Sequence, residues 1–247
     1  MNDQLSVQLY TVREALDADM AGTLRRLADI GFTQVEPYGI ADRPALVQGL
    51  AEAGLTAPTA HAHLVGAATP ELFRLARALG VDTLIDPFTP VARWQTRADV
   101  ALLATELNAA AKVAADHGLR VGYHNHEHEL ESVIDGVTAL EVFADHLDDA
   151  VVLEVDTYWV AAGGQDPVAL LHRLGDKVTA LHIKDGPATK DPVDQVAVGA
   201  GSMPVLEIIR AAPDALRVIE LDDSRGDRFS AVSDSHVWLT THAGAVA

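Results

Sequence analysis

The sequence predicts a closed (β/α)8 barrel, and three observations point there. Apolar runs of strand length alternate with amphipathic helical stretches, and we count eight such units in 247 residues. Alternation of this kind implies a parallel sheet covered by helices, and eight units match a closed barrel better than an open sheet. Four of the later runs end in His, Asp or Glu, which suits the rim of a barrel where the strand ends converge. The turn after the first run, TVREALDADMAG, holds neither GxGxxG nor GxxxxGK[ST], the phosphate loops expected of an open doubly wound sheet.

Each unit reads as strand then helix. LSVQLYTV opens the chain, followed by a helix carrying Leu24, Leu27 and Ile30 on one side and stopped at Gly31. QVEP (residues 34–37) is a short second strand, with a helix from about Arg43 to Gly54. Leu55 to Ala62 and the helix PELFRLARALG follow, then VDTLIDPF and a long helix from about Arg97 to His117. LRVGYHNH is the fifth strand and VTALEVFADHL its helix, which leads to VVLEVDTYWV (Val151–Val160). DPVALLHRLG starts with a capping Asp166 and Pro167 at the first helical position, and precedes VTALHIKD. PVLEIIRAA precedes RVIELDD, and the tail from Asp227 to Ala247 supplies a last helix. No linker or low-complexity run interrupts residues 1–247, so a single domain is expected.

Composition narrows the function classes. The net charge of −18 argues against a protein that grips a nucleic-acid backbone, which needs clustered Lys and Arg. There is no cysteine, so disulfides and thiolate metal sites are excluded. The start MNDQLSVQLY has no basic region followed by an apolar run, and nowhere do eighteen apolar residues run together. A cytoplasmic protein without membrane or nucleic-acid partners is the expectation.

The strand ends carry Glu36, His61 and His63, Asp86, His124 and His126, Asp156, His182 and Glu220, in chain order. Taken singly, an Asp or His in such a place is more often a loop cap than a ligand. Several on successive strands reverse the balance, and Asp156, His182 and Glu220 together point to a metal. Ligands without sulfur suit manganese first, with magnesium, cobalt or zinc as alternatives. Glu154 shares a strand face with Asp156 but lies deeper, as a hydrogen-bonded buried carboxylate. His117, His146 and His172 read as surface residues on helices, and Asp222 with Asp223 as a solvated loop. The string HNHEHE resembles an HNH nuclease motif, but the basic surface that such a nuclease needs is missing.

At these residues the chain resembles the sugar phosphate isomerase/epimerase family of xylose isomerase-like TIM barrels. SVQLYTVRE, GFTQVEPYG, GYHNHEHE, DTYWVAAGGQDPVALL, LHIKDG and VIELDD carry the resemblance over nearly the whole chain. It implies a divalent metal held by a Glu, Asp, His and Glu set. Asp156, His182 and Glu220 match the last three positions, and His124 stands where the epimerases place the first Glu. The family also includes inosose dehydratase, and the loss of one carboxylate at His124 brings that dehydratase, or an enzyme eliminating from 3-keto sugars, into view.

The resemblance implies an isomerase or epimerase that works on a keto sugar or polyol through an enediolate. Glu220 is the expected base, with His126, Glu127, His61 and Lys184 as candidates for the second proton carrier. Lys184 is also a candidate to stabilise oxyanions, or else to pair with Asp185. Glu36, His61 and Trp159 are expected to hold substrate, with Tyr158, Gln8, Tyr10 and Arg13 as further contacts. An AP endonuclease and a non-catalytic sugar-binding barrel are the alternatives from other classes. No Lys or Arg cluster marks a phosphate site, which favours a free sugar, and the resemblance also implies a homo-oligomer.

Overall fold

The computed structural model describes residues 4–242. Seven parallel strands form one curled sheet: Leu5–Val7, Thr59–His61, Thr83–Asp86, Arg120–His124, Val151–Asp156, Val178–Ile183 and Leu216–Ile219. Each pairs with its neighbour in sequence, except that Leu5–Val7 pairs with Leu216–Ile219. The predicted second strand fills the remaining gap as isolated bridges: Gln8 with Glu36, Gln34 with Thr56, and Tyr38 with His61. Glu36 N–H donates to Val7 O at 2.8 Å and His61 N–H to Pro37 O at 2.7 Å, so segment 34–38 closes the barrel from both sides.

Local chemistry sets the helices. Thr96 caps Arg97–Asp116, and Asp166 caps Pro167–Leu174 by accepting from Ala169 N–H at 3.1 Å, with Pro167 in the first turn as the sequence predicted. Thr138 and Glu141 form a reciprocal capping box at the start of Ala139–His146. Inward residues of strands and helices join in one apolar core, which includes Leu24, Leu27, Leu103, Leu107, Val155 and Leu181. The last helix spans Arg228–His242, and the rest of the predicted tail lies outside the described residues.

Several elements differ from expectation. The first strand stops at Val7, because Gln8 turns the chain into a 3-10 helix, Leu9–Val12, by accepting Tyr10 N–H on its side chain. The stretch after His124 was expected to be loop; it forms a one-turn helix, His128–Glu131, and a hairpin of Val133–Ile134 with Val137–Thr138. Asp135 and Gly136 between those strands both have positive φ, which an Asp-Gly pair supplies at low cost. A second short helix, Thr157–Ala162, begins directly after Asp156.

Candidate metal centre and active-site pocket

The strand ends bring a set of buried polar side chains together. His124, Asp156, His182 and Glu220 each offer one ligand atom, all within 4.8 Å of one another. All four are buried, with Glu220 the most exposed at 4%. Asp156 shows how the sequence builds the site. Its Oδ1 caps the helix Thr157–Ala162 by accepting Trp159 N–H at 3.0 Å, which leaves Oδ2 buried with no hydrogen-bond partner. Asn125, on the neighbouring chain segment, clamps the Asp156 backbone: its Oδ1 accepts Asp156 N–H at 3.0 Å and its Nδ2 donates to Asp156 O at 3.3 Å. The Lys184 ammonium, 2.8 Å away, is the near cation of Asp156 Oδ2, and a divalent ion would complete that oxygen's surroundings.

The rest of the set is tied by ionic contacts. His182 Nδ1 is 2.6 Å from Glu220 Oε2. Lys184 Nζ lies 2.8 Å from Asp156 Oδ2, off the line of a hydrogen bond, and 2.8 Å from Glu220 Oε2, and it donates to Asp222 Oδ2. Behind them Glu36, His61 and Glu154 form a deeper layer, with His61 Nε2 2.6 Å from Glu154 Oε2 and 3.1 Å from Glu36 Oε1. Gln8 Nε2 donates to Glu36 Oε1 at 2.7 Å.

Charge follows geometry. Burial opposes ionisation of Glu220, yet Lys184 and His182 outweigh it and hold the carboxyl well below its ordinary range. Burial also opposes the charged form of His61, but Glu36 and Glu154 raise its pKa to about 10. For Asp156 burial wins over Lys184 and His182 and lifts the pKa to about 6, so this carboxylate lacks enough positive charge around it. Burial, then the Lys184 charge, lowers the His126 pKa to about 4 and keeps that imidazole neutral. The donors are imidazole nitrogens and carboxylate oxygens, one of them unpartnered, and this set fits a divalent ion.

The site opens on a pocket of about 580 Å³ lined by Tyr10, Tyr38, Phe88, His63, His126 and Glu220, among others. His61, His124 and Asp222 reach its floor and wall, and among the described residues no Lys or Arg lines it. Tyr10 and Tyr38 meet edge to face at 5.2 Å, each under a guanidinium: Arg13 for Tyr10 and Arg43 for Tyr38. His126 faces the pocket with Nδ1 buried and unpartnered.

Several predicted roles change place. Glu36 is fully buried and does not line the pocket; it lies behind His182 and His61, the latter of which does reach the pocket. Trp159 is 6% exposed and packs near Lys184, whose Nζ is 5.4 Å from its ring centre, rather than in the pocket wall. Glu127, at the start of the helix His128–Glu131, also stays outside the pocket lining. Lys184 is enclosed by Asp156, Glu220 and Asp222 instead of pairing with Asp185, whose oxygens accept Gly186, Gly199 and Met203 N–H groups. Asp222 is therefore part of the site and not a solvated loop residue.

Sequence reasoning also missed Phe88 and the cradle around Glu129. Glu129 Oε1 accepts Tyr123 Oη–H at 2.8 Å and Oε2 accepts His126 N–H at 2.9 Å, which anchors the backbone that presents His126. Burial raises its pKa to about 8 against those donors. The only signal in the sequence was the excess of polar residues in HNHEHE.

Comparison with known proteins places the chain in a family. An inosose dehydratase of Clostridium beijerinckii is 30% identical over 84 residues, and one of Geobacillus kaustophilus 32% over 83 residues. These matches span 34% of this chain and only 28% and 26% of the two dehydratases. A sugar phosphate isomerase/epimerase of Parabacteroides distasonis superposes with a TM-score of 0.80 at 25% identity, covering 96% of this chain and 93% of that one. The IOLI protein, whose crystal structure holds a zinc atom, shares the fold at a TM-score of 0.76 and 14% identity, with 99% of each chain covered. A family model matches residues 24–242, and the chain belongs to the xylose isomerase-like TIM barrel family.

Proposed function

We propose that this protein is a metal-dependent enzyme that moves a proton at the carbon beside the carbonyl of an unphosphorylated keto sugar or cyclic polyol, as an isomerase or epimerase. The observation that carries the reading is the convergence of His124, Asp156, His182 and Glu220 under a pocket lined by aromatic rings and without a Lys or Arg. Those four side chains would hold the ion. When bound, a divalent ion supplies Lewis acidity that polarises a carbonyl and stabilises negative charge on neighbouring oxygens.

The chain's own residues supply the rest. His126 faces the pocket as a neutral imidazole with a free Nδ1, and is better suited to take a proton from carbon and return it than to start as an acid. Glu220, ionised and turned to the same pocket, is the second group able to carry a proton. Tyr10, Tyr38 and Phe88 offer ring faces and edges to the C–H side of a sugar, and Asp42, His63 and Asp222 offer hydrogen bonds to its hydroxyls. Manganese remains the first candidate among the ions, with magnesium, cobalt and zinc behind it.

A second reading, elimination of water from a keto polyol, is favoured by His124 in place of a carboxylate and by the stretch of similarity to inosose dehydratases. One experiment tests both. Keto sugars and inososes are incubated with manganese-loaded protein in deuterated water and followed by proton NMR. Exchange at the carbon beside the carbonyl with a changed configuration or a shifted carbonyl supports the first reading, and loss of a hydroxyl supports the second. No exchange with any of the panel would count against both.

A further inference from the structure

Two imidazoles separate the pocket side of the site from the barrel interior. The His124 and His182 rings have centroids 4.3 Å apart. On the pocket side, His182 Nδ1 meets Glu220 Oε2 at 2.6 Å and His124 Nε2 lies 3.7 Å from Asp156 Oδ2. On the interior side, His182 Nε2 is 2.9 Å from Glu36 Oε1 and 3.2 Å from Glu154 Oε2. His124 Nδ1 is 3.2 Å from that same Glu154 oxygen, within reach but off the hydrogen-bond axis. A single oxygen, Glu154 Oε2, thus faces the inner nitrogens of both rings, and His61 Nε2 closes on it at 2.6 Å from a third side.

A neutral imidazole has one lone pair for a metal and one N–H for a partner. Carboxylates on the inner side hold the N–H groups inward and so free the outer nitrogens, His182 Nδ1 and His124 Nε2, for an ion that replaces the hydrogen bond from His182 Nδ1–H to Glu220. We propose that Glu154, backed by Glu36 and His61, is a positioning residue that fixes the tautomer and orientation of His124 and His182 as metal ligands. The inference rests on the reading of the pocket-side set as the ligands.

The inner side chains raise a rival. His61, His124, Glu154 and His182 also offer ligand atoms within 4.8 Å of one another. Both sets need His124 and His182, and serving two ions would strip each ring of its last proton. The sets are therefore alternatives. Each set has a buried carboxylate oxygen without a hydrogen-bond partner, Asp156 Oδ2 in one and Glu154 Oε1 in the other, but the pocket-side set offers two carboxylates against one, which suits a hard divalent ion better, and the interior carboxylates already have His61 between them.

The test uses Co²⁺ as probe, with affinity measured against a chelating dye and ligation by the visible spectrum, on wild type, Glu154→Gln, Glu36→Gln and Asp156→Asn. The expected result is one Co²⁺ per wild-type chain and none in Asp156→Asn. Glu154→Gln keeps one ion, bound about 10- to 100-fold more weakly and with shifted bands, as loss of an outer carboxylate partner of a ligating His does. Glu36→Gln, which reaches only His182 of the two rings, shows a smaller loss in the same direction. Unchanged affinity and spectrum in Glu154→Gln, with binding lost in Asp156→Asn, overturns the positioning role and spares the metal site. Two ions in wild type and one in Glu154→Gln overturn it by making Glu154 a ligand. Binding retained in Asp156→Asn overturns the ligand set itself. If circular dichroism shows Glu154→Gln unfolded, Glu36→Gln carries the test, and an unchanged affinity there overturns the proposal.

Discussion

Lys184 Nζ lies 2.8 Å from Asp156 Oδ2, and both groups are fully enclosed. The ammonium also contacts Glu220 and Asp222, so one lysine balances three carboxylates at the edge of the proposed ion site. Removing one partner of a buried charge cluster leaves the others uncompensated, at about 3–5 kcal/mol. Lys184→Met should therefore lower the urea midpoint sharply in metal-free protein, and an added divalent ion should recover part of the loss. A variant as stable as wild type would show that water reaches these carboxylates.

His126 is held on the pocket wall by its backbone bond to Glu129, and its ring touches Phe88 edge-on, with centroids 5.7 Å apart. His126→Gln should lower turnover by about 10²–10⁴, the usual contribution of a placed acid–base group, with bound metal unchanged. Steady-state kinetics beside metal analysis separates the two effects. Equal loss of metal and activity would move His126 from proton transfer to ligation.

Glu129 gives a pH signature in stability. Its folded-state pKa of about 8 exceeds the ordinary 4.5, so the folded chain keeps a proton that the unfolded chain has released. The stabilisation is complete below pH 4.5 and is lost as pH rises through about 8, with a slope near 1.4 kcal/mol per unit between them. Glu129→Gln keeps the neutral acceptor and should flatten that segment of the stability profile. Urea unfolding from pH 5 to 8 checks it, and parallel profiles for variant and wild type would show that Glu129 is ionised in the fold.

The paired tyrosines at the mouth make a selectivity prediction. Tyr10 and Tyr38 stand edge to face, and their covering arginines are already engaged, Arg13 with the Tyr10 and Asp222 carbonyls and Arg43 with Asp17 and the Tyr38 hydroxyl. Tyr38→Ala should raise KM several-fold with little change in kcat, consistent with about 0.5–1.5 kcal/mol for an aromatic contact. Phosphorylated ketoses should compete poorly with the free sugars, since among the described residues no Lys or Arg lines the pocket. Tighter inhibition by the phosphates would point to Arg13 or Arg43 swinging inward.

The barrel was readable because its signals are local and repeated: apolar runs alternate along the chain, with caps such as Asp166 and stops such as Gly31 at several helices. The convergence of His124, Asp156, His182 and Glu220 was readable for the same reason, since strand ends of a parallel barrel must converge. What escaped was decided across the barrel. Glu154 and Glu36 sit on different strands and meet only because the sheet curls, through His61 between them. Lys184 turns from its sequence neighbour Asp185 because that carboxylate already accepts three backbone N–H groups. The hairpin at Asp135-Gly136 carried a turn signal, but flanking strands of two residues each are too short to show alternation.

The most direct test of the central claim is the metal content of wild type and Asp156→Asn, purified without added metal, soaked in manganese and measured by mass spectrometry. One ion per wild-type chain and none in the variant is the expected result, because Asp156 is the central buried carboxylate of the set formed with His124, His182 and Glu220. An empty wild type, or a variant that keeps its ion, would contradict it.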